Sequence, residues 1–378
     1  MPNIARDTLA SSTGRSFLPL SATRSLLESR LVRALTYPHS LDHYIELSSP
    51  AFSLSRIFAR VVQVVRETPD VVTLVLRPNR NFPGYRAGQF VALTVEIDGV
   101  RHTRCFSLSS SPLGPDRLVT VTIKARAAGG LVSPFLVEHA RPGMRVELSP
   151  PQGDFVLPDP VPSRLMFVSG GSGITPCMSM LRTLAAQHFS GEVVFIHYAR
   201  SEADIIFAQE LRRLASELPG LTLHIETDTD RGAPPELTAE GLEQKATDFA
   251  SWETWVCGPA GLLNAARALY DARGAQARLH TEEFVPSTPV QGETPEGQLE
   301  LLQSKRSVAL DGRPLLAQVE AAGVDGHRGC GMGVCMSCRC RKLKGTTKNL
   351  RTGEISHEEN EDIQLCIHAP LSDVTLDL

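Results

Sequence analysis

The stretch Gly329-Cys330-Gly331-Met332-Gly333-Val334-Cys335-Met336-Ser337-Cys338 places three cysteines with C-x4-C-x2-C spacing on one short loop, and Cys366 follows after a gap of 27 residues. Three thiolates on a loop and a fourth returning from elsewhere are typical of a plant-type [2Fe-2S] cluster site. The glycines between the cysteines let backbone N–H groups approach the sulfur atoms and stabilise their charge. The predicted ligands are Cys330, Cys335, Cys338 and Cys366.

A structural zinc site is the alternative use of four such cysteines. Zinc-binding chains usually pair their cysteines in two separate C-x2-4-C units, and the single long return to Cys366 fits that arrangement poorly. Cys340 lies just outside the ligand spacing and is predicted to be a bystander. The other cysteines show no pairing pattern, as expected where thiols stay reduced. They are Cys105, Cys177 and Cys257.

Composition excludes several classes of protein. At 378 residues and 42% hydrophobic content, the chain is expected to form more than one globular domain. Its net charge of -4, without a dense basic tract, argues against nucleic-acid binding. No apolar run reaches about 18 residues and no signal core precedes the first domain, so we expect no transmembrane segment and a cytoplasmic location.

Residues 1–54 are predicted to form an amino-terminal extension with a helical segment. Leucines and a valine recur between Leu26 and Leu35 at roughly helical spacing, with arginines among them. A basic amphipathic helix can lie on an anionic membrane surface, which would place the protein at the inner face of the membrane. Packing against its own protein is the more common use of such a helix, and we favour it.

Distinct sequence patterns follow the extension and predict successive domains. Short alternating strands separated by glycine and proline turns predict an antiparallel β-barrel over residues 55–160. Strands that alternate with helical stretches predict a parallel α/β sheet over residues 161–285. A proline-rich segment of few apolar residues, 286–296, is predicted to be a linker. The cysteine set lies in the last module, residues 297–378, so the chain is predicted to be multidomain.

The barrel carries a pattern found in flavin domains. Arg104-Cys105-Phe106-Ser107-Leu108 is followed by Gly129-Gly130-Leu131-Val132-Ser133 at a predicted helix start. R-x-[YF]-S followed by G-G-x-x-S resembles the ferredoxin-NADP reductase superfamily, whose usual tyrosine is Phe106 here. A guanidinium and a helix amino terminus are suited to binding a pyrophosphate. The resemblance implies that FAD is bound by Arg104, Phe106, Ser107, Leu108, Lys124, Gly130, Leu131, Val132 and Ser133, with Ser107 near flavin N5.

Two segments of the predicted α/β sheet resemble the nucleotide site of the same superfamily. Ser169-Gly170-Gly171-Ser172-Gly173-Ile174-Thr175-Pro176 joins the first strand to a helix, where free N–H groups meet a dinucleotide phosphate. Cys257-Gly258-Pro259 resembles the segment whose cysteine lies beside nicotinamide C4, so Cys257 is predicted to position a hydride donor. Phe284 is predicted to border the flavin. The glycine-rich binding residues are Gly170, Gly171, Gly173, Ile174, Thr175 and Pro176.

The end of the second strand bears on the choice between NADPH and NADH. In dinucleotide folds an acidic residue at this point binds the 2′-hydroxyl of NAD, whereas arginine accommodates the 2′-phosphate of NADP. This chain has Arg200 followed by Ser201. The sequence therefore favours NADPH.

Taken together, residues 57–378 resemble oxygenase reductases that carry FAD, a nicotinamide domain and a carboxyl-terminal β-grasp ferredoxin. The resemblance implies electron flow from NADPH to FAD, to the [2Fe-2S] cluster and then to an external acceptor. Residues 41–47 and 50–53 resemble reductases of membrane di-iron fatty acyl desaturases, so a desaturase or lipid hydroxylase is the favoured acceptor. A soluble ring-hydroxylating or acyl-CoA oxygenase is the alternative acceptor. A non-catalytic redox sensor is the alternative from a different class of function. We expect the acceptor to bind near Arg328 and Arg339.

Overall fold

A computed structural model describes most of the chain, and residues 57–378 form one compact unit. Nearly all of the predicted amino-terminal extension and of the predicted linker lies outside the described residues, as do Gly129, Cys330 and Cys335. The exact domain limits stay predictions. The described residues are 53, 55–125, 130–228, 236–284, 296–329, 331, 333, 336–350 and 352–378.

The first sheet is the antiparallel barrel that the sequence predicts. Its strands follow the order β4-β3-β6-β1-β2-β5, and a bridge between Leu108 and Val121 joins its two edges. Alternate valine, leucine and isoleucine side chains fill its interior. Helix α1, Val132–His139, packs against β5 and β4. The strands are β1 (Ile57–Thr68), β2 (Val71–Pro78), β3 (Phe90–Ile97), β4 (Val100–Ser107), β5 (Val119–Lys124) and β6 (Arg145–Leu148).

The second sheet is parallel throughout, with the order β11-β10-β7-β8-β9. Its central strands read as nearly continuous apolar runs because helices cover both faces. The elements are β7 (Arg164–Gly170), α2 (Ile174–Ala186), β8 (Glu192–Ala199), α3 (Ala208–Glu217), β9 (Leu221–Thr227), α4 (Ala239–Lys245), β10 (Glu253–Cys257), α5 (Ala260–Asp271) and β11 (Leu279–Glu282).

The carboxyl-terminal module contains a mixed sheet, in which β12 pairs parallel with β19 and antiparallel with β13. Its order is β13-β12-β19-β14-β17, and a small sheet, β16-β15-β18, lies beside it. In the described part of the chain, no helix is long and apolar enough to cross a bilayer. The elements are β12 (Gln298–Leu301), β13 (Arg306–Ala309), α6 (Leu315–Ala321), β14 (Arg339–Lys344), β15 (Thr347–Asn349), β16 (Ile355–Ser356), β17 (Glu361–Gln364), β18 (His368–Pro370) and β19 (Val374–Leu376).

Polar residues of α2 attach the parallel sheet to the barrel. The Ser179 hydroxyl donates to the carbonyl of Ser110 at 2.6 Å, and the Arg182 guanidinium donates to the carbonyl of Ser109 at 2.5 Å. Arg182 also donates to Glu210 at 2.9 Å from its Nε and lies over the Phe207 ring. The side of α2 that faces the barrel is therefore held by hydrogen bonds as well as by apolar packing.

Candidate functional site

The predicted nucleotide segments meet at the point where the strand order of the parallel sheet reverses. β8 and β9 lie on one side of β7, and β10 and β11 lie on the other. Ser169 and Cys257 are register partners at the carboxyl ends of β7 and β10. Ligands of open α/β sheets bind in the crevice at such a switch point. The fold thus brings Gly170 and Gly258, 88 positions apart in the printed sequence, to one crevice.

The glycines of these segments allow the two loops to touch. A Cβ at Gly173 would overlap the backbone carbonyl of Cys257, and one at Gly170 would lie 2.8 Å from the Pro259 ring. Gly171 has a φ of 53° and open space around it. No side chain caps α2, whose N-cap is Gly173. A short 3-10 turn, Gly171–Gly173, leads directly into α2, and the N–H of Ile174 donates to the carbonyls of Gly171 and Ser172. A dinucleotide phosphate would therefore meet the glycine turn rather than the first residue of α2.

Cys257 is fully buried in this crevice floor. Burial, reinforced by the neighbouring Glu282 carboxylate, raises the pKa of its thiol well above the usual value. A thiol that stays protonated is a poor nucleophile. The side chain packs inside the core of the parallel sheet and exposes no surface of its own, so its predicted contact with the nicotinamide stays a prediction.

Ser107, at the end of β4, shows that the barrel site fits a flavin. Its side chain is 4% exposed, and its hydroxyl has no hydrogen-bond partner within the described protein. An unsatisfied buried hydroxyl costs about 1–3 kcal/mol, so such groups usually await a ligand or a water. Phe106, which precedes it, is half-buried against the barrel core. A flavin beside β4 would give Ser107 the partner it lacks.

Helix α1, which follows the predicted pyrophosphate glycines, packs against both β4 and β5. Its N-cap residue, Leu131, makes no side-chain capping bond and is 47% exposed. Val132 is buried, whereas Gly130 and Ser133 are half-buried. An uncapped helix start preceded by glycine is suited to a pyrophosphate group.

A chain of charges runs from the barrel to the nucleotide sheet. Asp70, in the turn between β1 and β2, lies 3.6 Å from Lys124 and 3.7 Å from Arg200. Asp204 accepts hydrogen bonds from Arg200 at 2.7 Å and from Ser201 at 2.8 Å. The two residues predicted to bind the 2′-phosphate are thus held by one carboxylate.

Two of the four predicted cluster ligands are described, and both are buried: Cys338 is 2% exposed and Cys366 is 4% exposed. The backbone N–H of Gly333 donates to the Cys366 sulfur at 3.2 Å, as expected for a thiolate that holds a cluster. Gly333 has a φ of 72°, a conformation that favours glycine. Cys340 lies on β14 in the module core, where burial raises the pKa of its thiol to about 11.

The predicted acceptor surface is charged but internally paired. Arg328 forms an ion pair with Glu320, and Arg339 forms one with Asp362. Glu320 raises the pKa of Arg328, and the Cys338 and Cys366 sulfurs raise it further, so Arg328 lies close to the cluster site. Arg328 and Arg339 keep about half of their side chains exposed, at 47% and 60%.

The flavin motif and the cluster loop are in contact. Nη1 of Arg104 donates to the carbonyl of Gly329 at 2.9 Å, directly before the first predicted ligand, Cys330. The same nitrogen donates to the carbonyl of Thr103 at 2.7 Å. One arginine therefore connects the strand that would bind the flavin to the loop that would bind the cluster.

Several residues at these sites were not singled out from the sequence. Asp70 and Arg182 act across domains, and no local motif marks them. His197 is fully buried beside Ser169, 2.9 Å from its hydroxyl, and its Nε2 has no hydrogen-bond partner among the described residues. The available signal for His197 was a histidine inside the otherwise apolar run of β8. Phe284 is half-buried and packs on the core of the parallel sheet.

Three family models match the chain in order. An oxidoreductase FAD-binding domain matches residues 59–157, an oxidoreductase NAD-binding domain matches 167–268, and a 2Fe-2S iron-sulfur cluster binding domain matches 299–370. With the barrel, the parallel sheet and the mixed-sheet module, these matches define a flavin- and nicotinamide-dependent oxidoreductase that carries its own [2Fe-2S] domain.

Related proteins align with most of the chain. An NADPH oxidoreductase of Mycobacterium tuberculosis is 38% identical over 353 residues, 92% of this chain and 91% of that protein. The glycine betaine monooxygenase reductase subunit of Pseudomonas aeruginosa is 31% identical, covering 88% of this chain and 98% of that protein. Phthalate dioxygenase reductase shares the fold, with a TM-score of 0.59 at 22% identity over 85% of this chain and 98% of that chain. The chain belongs to the ferredoxin-NADP reductase-like oxygenase reductases with a carboxyl-terminal [2Fe-2S] domain.

Proposed function

We propose that the protein is an NADPH-dependent reductase that supplies electrons, through FAD and a [2Fe-2S] cluster, to an external oxygenase component. The observation that carries this proposal is the hydrogen bond from Arg104 to Gly329, because it connects the flavin motif with the cluster loop. When bound, the flavin accepts two electrons together from the nicotinamide and releases them singly, as a one-electron cluster requires.

The residues of the chain prepare this transfer. The glycine-rich 3-10 turn Gly171–Gly173, directly before α2, would hold the dinucleotide phosphates. Cys257, buried in the sheet core at the end of β10, would support the crevice in which the nicotinamide binds. The Ser107 hydroxyl would donate to the reactive edge of the flavin. Cys330, Cys335, Cys338 and Cys366 would hold the cluster, with Gly333 donating to the Cys366 sulfur.

The relatives bear on the acceptor. The glycine betaine monooxygenase, stachydrine N-demethylase and 3-ketosteroid-9-alpha-monooxygenase systems contain reductases similar to this chain. These names favour a soluble oxygenase, the alternative in the sequence analysis, over a membrane desaturase. We therefore propose a soluble oxygenase as the acceptor. The desaturase hypothesis depends on residues 41–53, of which the structure describes only Ser53, and it stays a prediction.

Reconstitution tests both acceptors. The purified holoprotein is first examined by visible absorption, where flavin and iron–sulfur bands that bleach with NADPH are expected; a colourless protein would contradict the proposal. NADPH consumption coupled to product is then measured with soluble oxygenase components and, in parallel, with membranes that contain a desaturase. Coupled turnover only in the membranes would reverse the choice of acceptor but keep the reductase.

The nucleotide preference is tested separately. Arg200→Ala is expected to raise the KM for NADPH about tenfold, since a charged hydrogen bond contributes ~1.5–3 kcal/mol, and to leave the KM for NADH nearly unchanged. Equal effects on both nucleotides would remove Arg200 from the phosphate site.

A further inference from the structure

Asp204 binds both of the side chains that are predicted to hold the 2′-phosphate. Its Oδ1 accepts from the Arg200 guanidinium at 2.7 Å, and its Oδ2 accepts from the Ser201 hydroxyl at 2.8 Å. Each carboxylate oxygen therefore holds one of the two donors predicted to recognise NADPH. A carboxylate and a phosphate present similar acceptor oxygens to an arginine.

The local backbone keeps Asp204 there. Residues Glu202–Asp204 form a short 3-10 turn directly after Ser201, and the N–H of Asp204 donates to the carbonyl of Ser201 at 3.0 Å. The Asp204 side chain is 21% exposed, whereas that of Arg200 is 65% exposed. The carboxylate is thus fixed against the fold, and the guanidinium that it holds lies at the surface, open to a nucleotide.

Acidic residues around Arg200 oppose the binding of a negatively charged 2′-phosphate. Asp70 lies 3.7 Å from Arg200 on the side of the barrel, and Asp228 is a further acid near Arg200. A 2′-phosphate must either displace Asp204 from Arg200 and Ser201 or bind beside its negative charge. A ribose 2′-hydroxyl carries no charge and can donate to the carboxylate, so NADH meets no such opposition.

We propose that Asp204 is a specificity-determining residue that limits the preference for NADPH over NADH by competing with the 2′-phosphate for Arg200 and Ser201. This inference rests on the proposed NADPH site. Asp204→Asn keeps the size and one acceptor oxygen but removes the charge. Because the Arg200 pair is largely exposed, the effect is modest: we expect NADP⁺ to bind about two- to fivefold more tightly and NAD⁺ to bind no more tightly than before.

The test is isothermal titration of the oxidised holoprotein with NADP⁺ and with NAD⁺. Glu202→Gln is the matched control, because Glu202 lies in the same turn but pairs with the exposed Arg212. That control is expected to change neither affinity. Should Asp204→Asn lower the melting temperature, Asp204→Ser serves as the second variant, with the same expected gain for NADP⁺.

The outcomes separate this inference from the proposal beneath it. If Arg200→Ala weakens NADP⁺ binding while both Asp204 variants leave it unchanged, competition is overturned and the NADPH site stands. Weaker NADP⁺ binding in the Asp204 variants means that the carboxylate orients Arg200 for the phosphate, which also overturns competition. If Arg200→Ala leaves NADP⁺ binding unchanged, the phosphate site and the competition both fail.

Discussion

At the scale of single residues, the Ser107 hydroxyl is expected to gain a hydrogen bond only when the flavin is bound. Its Oγ is buried and unsatisfied, so Ser107→Ala removes no hydrogen bond from the flavin-free protein. We expect the melting temperature of that form to stay the same or to rise. In the holoprotein, flavin reduction by NADPH should slow about tenfold, equivalent to ~1.4 kcal/mol, because one hydrogen bond near the reacting atoms is lost. Differential scanning fluorimetry and stopped-flow absorption measure the two effects.

Ser109 provides the matched control two positions along. Its hydroxyl is bonded to Thr120 at 2.8 Å and to Thr122 at 3.0 Å, inside the barrel. Ser109→Ala should therefore lower the melting temperature of the flavin-free protein. If the two alanine variants behaved alike in both measurements, Ser107 would have no special relation to the flavin.

His197 makes stability depend on pH. Burial lowers the pKa of its imidazole from 6.5 to about 4, because the fully buried ring is held neutral. Below pH 6.5 the unfolded chain binds a proton that the folded chain refuses, so protonation favours unfolding. The contribution of His197 to the free energy of unfolding is full above pH 6.5 and falls by up to ~1.4 kcal/mol per pH unit as the pH drops toward 4.

The prediction is tested with His197→Asn, which keeps a polar group near the Ser169 hydroxyl. Its free energy of unfolding, measured by urea titration between pH 7 and pH 4.5, should fall less steeply with acid than that of the wild type. His188→Asn is the control, because His188 is exposed. If the free energy of unfolding fell equally with acid in the wild type and in His197→Asn, another group would be responsible for the loss of stability at low pH.

At the scale of elements, the sequence predicts the positions of strands and helices better than it predicts contacts between distant residues. Strand and helix positions follow from local periodicity, and the glycine-rich turn after β7 is recognised from its motif, although β7 continues through Gly170. Contacts such as Arg104 to Gly329 join positions far apart in the chain, and no local pattern specifies them. The charge on Asp204 is visible in the sequence, but its hold on Arg200 depends on the turn that follows β8.

The loop after β7 depends on glycine because it crosses the loop after β10. Gly173→Ala would drive a Cβ into the backbone carbonyl of Cys257, which cannot move without shifting β10. We expect a loss of ~1–3 kcal/mol in the free energy of unfolding, the usual cost of overpacking, together with weaker NADP⁺ binding. Thermal unfolding and isothermal titration measure these changes.

Gly261→Ala is the control for that substitution. Gly261 lies in the first turn of α5, and an added Cβ would have no atom within 4 Å. Alanine is the better helix former by ~1 kcal/mol, so this variant should be as stable as the wild type or more so. Equal losses in the two variants would mean that the loop crossing is not the cause.

For the whole molecule, Arg182 aligns the nucleotide sheet with the barrel. It donates to the Ser109 carbonyl at 2.5 Å, pairs with Glu210 and covers the Phe207 ring at 4.7 Å from its centroid. Arg182→Leu leaves Glu210 with the longer, 3.7 Å contact to Arg213 and removes the bond to the barrel. We expect a loss of ~2 kcal/mol in the free energy of unfolding, in the range of a charged hydrogen bond. Flavin reduction by NADPH should slow because a small displacement of the nicotinamide from the flavin costs rate.

The matched control is Arg212→Leu, which removes an arginine from the same domain whose ion pair with Glu202 is exposed. It should change stability by less than ~1 kcal/mol and leave flavin reduction unchanged. Stopped-flow absorption with excess NADPH separates reduction of the flavin by NADPH from reoxidation of the flavin by the cluster. In Arg182→Leu, reduction should be slowed more than reoxidation. That order is expected because Arg182 joins the barrel to the nucleotide sheet, whereas Arg104 joins the barrel to the cluster loop. Equal slowing of both steps would contradict separate alignment and indicate a general loss of structure.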